Sequence, residues 1–148
     1  MNAQQKNKKF ETGSFLLGFG FLGAMDGIVF HQLLQWHSVI MDTTETMQIV
    51  SDGLFHLAVT ITLIAGAVIL WMGGRPPNLK EGFRRMLSMF LIGGGIFNLV
   101  EGIINHHILQ IHRVHPEAAN PLFYDLAFLA SGAVLVIIGV LFRRGLGK

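Results

Sequence analysis

The chain has 148 residues, of which 51% are hydrophobic and only 14% charged, with a formal net charge of +2. Soluble domains carry about a quarter charged residues, so this composition argues against a soluble globular protein, and so small a charge offers no surface for nucleic acid. Cysteine is absent, which removes disulfides, thiolate metal sites and cysteine nucleophiles.

Taken in chain order, Lys6, Lys8 and Lys9 precede a first apolar run over about 14–36. That run is full length and contains Asp26 and His31, so it reads as a retained helix rather than a cleaved signal peptide. A polar link, 38–52, carries Asp42, Glu45 and Asp52 but no Lys or Arg. A second run covers 53–72, and the link 73–86 breaks it with Gly-Gly, Pro-Pro and basic residues. A third run, 87–109, leads through the short link 110–120 to a fourth, 121–142. A bilayer core of about 30 Å needs roughly 20 apolar residues as helix, and all four runs qualify. The expected fold is all-α: an integral membrane four-helix bundle, one transmembrane domain over 1–148.

Direction follows from the basic residues. Lys6, Lys8, Lys9, Arg75, Lys80, Arg84, Arg85, Arg143, Arg144 and Lys148 fall on one side of this arrangement, and only Arg113 on the other. Both termini are therefore expected in the cytoplasm. All seven histidines then lie towards the outer side.

Two segments share one pattern: DGIVFHQLLQWH at 26–37 and EGIINHHILQIH at 101–112, at a constant offset of 75. Each reads acid, Gly, Ile, two variable, His, two variable, Leu, Gln, one variable, His. Gly18, Gly20 and Gly23 before the first correspond to Gly93, Gly95 and Asn98 before the second. LFHLA (54–58) and LFYDLA (122–127) give a weaker match in the returning helices. The chain thus reads as two parallel helical-hairpin repeats, 14–72 and 87–142, related by an axis along the membrane normal. Such an axis brings His31 to the depth of His106, and Asp26 to that of Glu101. Gly23 with Gly27, and Asn98 with Gly102, form small-residue faces for close helix approach.

Ionisable groups at that depth are costly unless they serve a site. His31, His56, His106 and His107 with Asp26, Asp52, Glu101 and Asp125 are the candidate metal ligands. His37, His112 and His115 read first as interface residues, with His37 and His112 kept as further ligands. His31 follows Asp26 by five residues, about 140° around an α-helix, so one helix cannot wrap a metal with its whole motif. Ligands must come from neighbouring helices, as in helix-bundle carboxylate sites. Imidazole with carboxylate suits transition metals, here iron, copper or zinc, as one ion or two.

DGIVFHQLLQWH, DGLFH, FNLVEGIINHHILQIHRVHP and YDLAFLASG resemble a bacterial membrane family catalogued as domain of unknown function 2243, over about 14–142. The resemblance implies four spans in a bacterial inner membrane and hints at a link to copper or to respiratory-chain components. It assigns no function. The residues fit a membrane metalloprotein with a His/carboxylate site near the outer face, doing redox or oxygen chemistry. They also leave open a transporter of transition metal or protons, a copper-holding assembly factor for an oxidase, and a haem protein ligated by His31 and His106. The expected surroundings are the lipid bilayer and, for some of these roles, a second copy of the chain.

Overall fold

The computed structural model describes residues 2–144; Lys148, one of the basic residues that set the expected direction, lies outside the described residues. Four helices make the fold: α1 (Ala3–Asp26), α2 (Glu45–Gly73), α3 (Leu79–Glu101) and α4 (Pro121–Arg144). α1 runs on as a π-helical segment, Gly27–Leu33, and α3 as another, Gly102–Ile108. The described residues contain no strand. All four helices are long and apolar enough to cross a membrane.

Three helices start well before the apolar runs do. α1 begins at Ala3 because Asn2 and Gln5 form a reciprocal capping box, satisfying amides that would otherwise be orphaned. Thr44 caps α2 and Asn78 caps α3, directly after the Pro76-Pro77 break. Hydropathy therefore marks the length a bilayer would cover, whereas the caps mark the length of the helix. At the other end the first run stops early: helix gives way after Leu33, and 34–44 is irregular.

Packing relies on small residues, as lipid gives apolar side chains no reason to leave it. Side chains such as Leu57, Ile61 and Ile64 on α2, and Leu126, Ile137 and Leu141 on α4, are exposed and suited to lipid. α1 and α3 lie side by side in the same direction. A Cβ on Gly18 would collide with the Phe90 carbonyl oxygen, and one on Gly93 with that of Phe15. These two glycines make the tightest α1–α3 approach, and Gly23, from the small-residue face expected above, packs between Val59 on α2 and Phe97 on α3. Gly27 instead faces His56 and Phe55 on α2, and Gly102 faces Leu129 and Phe128 on α4. Spacing along one helix reveals a small face but not which neighbour fills it.

The contacts repeat between the halves. Gly66 on α2 packs on Gly13 and Leu17, and Gly139 on α4 packs on Ser88 and Ile92, the residues 75 positions on. α2 and α4 themselves match at an offset of 73, so Asp52 corresponds to Asp125 and His56 to Leu129. The LFHLA and LFYDLA segments are not equivalent in space, because that letter match departs from the offset of 73. At the opposite end of the bundle Arg143 pairs with Glu11 at 2.9 Å.

Candidate metal centre

The π-helical segments build the site. In π-helix the backbone hydrogen bond joins residues five apart rather than four, and such turns concentrate at functional sites. Asp26–His31 and Glu101–His106 both have that five-residue spacing. The 140° separation expected for an α-helix therefore does not arise: His31 Nε2 lies 3.5 Å from Asp26 Oδ2, and His106 Nε2 3.1 Å from Glu101 Oε2. Two residues beyond each segment stands a glutamine in the left-handed region, Gln35 and Gln110, both at φ 51°. Few side chains adopt this without cause; here it turns the chain back so that a second histidine, His37 or His112, enters the cluster.

The two halves then interlock. His37 Nδ1 donates to the Val114 carbonyl (2.8 Å), and His112 Nδ1 donates to the Val39 carbonyl (2.9 Å). The His37 and His112 rings stack 4.5 Å apart at 11°. His31 approaches His37 at 4.5 Å between ring centres, and His106 approaches His112 at 4.9 Å. The acids on the returning helices anchor the loops: Val39 N–H donates to Asp52 (2.7 Å), and Val114 N–H to Asp125 (3.0 Å). Asp52 also receives His31 Nδ1 at 3.0 Å, whereas Asp125 stands 3.9 Å from His106 Nδ1.

Asp26, Glu101 and the four ring-bearing residues His31, His37, His106 and His112 are all buried. Their ring assignments follow from chemistry. A carbonyl only accepts, so Nδ1 of His37 and His112 carries the proton, which leaves Nε2 of a neutral ring as a lone pair. His112 Nε2 nevertheless lies 3.0 Å from Glu101 Oε1. Two acceptors at that distance need a shared cation, either a proton or a metal ion. Nε2 of His37 is buried without a hydrogen-bond partner, and the close pairs His106 Nε2–Glu101 Oε2 and His31 Nε2–Asp26 Oδ2 lack hydrogen-bond geometry, an uncommon state for buried polar atoms. Donor atoms of Asp26, His31 and His37 lie within 4.8 Å of one another, as do those of His37, His106 and His112. Burial, reinforced by the neighbouring His112 and His31 rings, pushes the His37 imidazole down to about 3. It is thus a neutral donor at physiological pH.

Several expected ligands stand elsewhere. His107 is exposed, with Nδ1 bonded to the Gly102 carbonyl (2.9 Å). His56 donates Nδ1 to the Asp52 carbonyl (2.8 Å) and its buried Nε2 sits against Gly27, outside both groups of converging donors. Asp52 and Asp125 orient rings and loops from behind. His115 stacks on Trp36 at 4.4 Å. His37 and His112, read from sequence first as interface residues, occupy the centre of the cluster. Their signal was present: each follows its motif's first histidine by six residues in both repeats.

The fold and this cluster define an integral membrane protein with four spanning helices and a buried group of histidines and carboxylates. Residues 13–145 match a family described as a predicted membrane protein, domain of unknown function 2243, and the chain belongs to that family. No curated protein and no solved structure matches it.

Proposed function

We propose that this protein binds transition metal within the membrane, in a dinuclear site made of two equivalent sets: Asp26, His31 and His37 from one half, Glu101, His106 and His112 from the other. The observation that carries the reading is the convergence of buried Nε2 and carboxylate oxygens around the acceptor–acceptor contact between His112 and Glu101. Each set has two imidazoles and one carboxylate, a combination typical of non-haem iron centres with open positions. Copper and zinc accept the same donors. Val114, Val39 and Asp52 hold the Nδ1 sides, as outer partners of metal-bound histidines do, fixing tautomer and ring direction. A bound ion with an open position would supply redox or oxygen chemistry. The chain's own residues would hold the ions, keep the rings neutral and, through Asp26 and Glu101, offset their charge.

We place the cluster at the outer face of a bacterial inner membrane, with both termini cytoplasmic. The basic residues at the opposite end support this; Arg113, paired with Asp125 at 3.0 Å, is the exception at the cluster end. We also read the site as a fixed centre rather than a conduit. Between the cluster and the far end, residues 12–25, 57–74, 86–100 and 126–142 contain no titratable side chain, and a translocated cation needs such stepping stones.

Elemental analysis of protein purified in detergent tests the assignment. About two equivalents of one transition metal are expected in the wild type, a loss of at least half in His106→Ala, and no loss in His115→Ala. A wild-type protein that neither carries nor takes up transition metal, or equal loss in both variants, would overturn it. Reporter fusions at residue 148 and near Glu45 test the direction. Metal or proton flux in sealed liposomes would replace the fixed centre by a transporter.

A further inference from the structure

The two sets of donors are alike, but their approaches are not. Beside the first half a cleft of about 290 Å³ reaches His31 and His37; Met41, Glu45, Gln48 and Asp52 also line it, and no Lys or Arg does. The Asp52 side chain is 14% exposed there, whereas that of its counterpart Asp125 is 1% exposed. One substitution between the repeats explains the difference. Arg113 occupies the position that Ser38 holds in the first half, and its guanidinium lies 3.0 Å from the Asp125 carboxylate. The approach to the second half therefore ends in a positive charge, and the approach to the first ends in free acceptors.

We infer that this cleft is the polar inlet by which a divalent transition-metal cation reaches the cluster from outside, whereas the pocket beside Glu101 is lined mostly by Phe19, Phe55, Phe97, Val100 and Ile104; the inference rests on the metal-binding reading above. The lining suits a cation that sheds water in steps. The Glu45 carboxylate stands at the exposed start of α2, the Met41 thioether and Asp52 carboxylate lie further in, and the buried Nε2 atoms of His31 and His37 end the path. The volume exceeds that of several waters at about 30 Å³ each, so a partly hydrated ion fits. A cleft lined by one sign of charge raises the local concentration of the opposite ion and speeds its capture, an effect that salt weakens.

The rate of Co²⁺ uptake by full-length protein stripped with chelator, followed by its visible absorption in nanodiscs, tests the route. At low salt, Glu45→Gln is expected to slow loading about threefold and Glu45→Lys about tenfold. Final stoichiometry should stay at the wild-type level, the differences should shrink at high ionic strength, and Glu117→Gln in the other outer loop should load like wild type. Wild-type rates in both Glu45 variants, or an equal slowing in both that salt does not alter, would overturn the inlet while leaving the metal site standing. Wild-type protein that takes up no Co²⁺ would instead overturn the metal reading, and the inlet with it.

Discussion

The two halves of this molecule agree in their centre and differ at their rim. Both carry a buried acid, a histidine five residues on, a second histidine six beyond that, a π-helical segment and a left-handed glutamine. Around this shared centre His56 corresponds to Leu129, Ser38 to Arg113, and Asp26 to the longer Glu101, which reaches both His106 and His112. The equivalence lies where six donors must meet at one depth. The differences lie where only access, charge and packing are set. Repeated side chains with divergent surroundings suit the proposed metal pair and its proposed inlet.

The comparison breaks most severely at the crossing the halves share. Gly18→Leu and Gly93→Leu each force a side chain into the partner's backbone carbonyl. Both should cost well over about 3 kcal/mol and prevent recovery of monodisperse protein. Gly53→Leu, with open space around the added carbon, should behave like wild type. Size-exclusion chromatography in detergent reads the outcome; a normally folded Gly93→Leu would refute the close crossing.

A smaller effect concerns His37. Its imidazole stays neutral in the fold, at about 3 against an ordinary 6.5, because it is buried and lies beside the His112 and His31 rings, which outweigh the opposing pull of Glu101. The unfolded chain protonates it near 6.5, so between those values the unfolded state binds more protons. Its contribution to stability is whole above about pH 6.5 and is lost as pH falls towards 3. Melting temperatures of chelator-stripped protein should therefore fall from pH 7 to pH 5 more steeply in wild type than in His37→Gln. Parallel slopes would contradict the neutral, buried ring. The mildest change makes the rims alike: His56→Leu copies Leu129, and should alter stability by only about 1 kcal/mol without lowering metal content.

Much of this was legible in the sequence. The hydrophobic runs define four spans, since only helices satisfy a single chain's backbone in lipid this way, and the 26–37 and 101–112 motifs expose the repeat. Three things were hidden. Capping extends α1 back to Ala3 through residues too polar for a hydropathy window. The π-helical turn leaves no composition signal, so Asp26 and His31 read as angularly apart, although their spacing of five, repeated in Glu101 and His106, is the trace it leaves. The inward turn of His37 depends on a left-handed Gln35 and on a carbonyl from Val114, and no local pattern announces a partner 77 residues away.

The exchange of Nδ1 hydrogen bonds across the middle has one more consequence. Val114 holds His37 and Val39 holds His112, so neither hairpin can finish its own histidine. A lone hairpin would leave that ring free to rotate and to choose either tautomer, and half of the cluster would lose its geometry. Two identical hairpins, however, could supply each other's carbonyls across a true two-fold axis. Here the short turn from Gly74 to Asn78 joins the two halves in one chain, so the halves are free to differ, as Ser38 and Arg113 do.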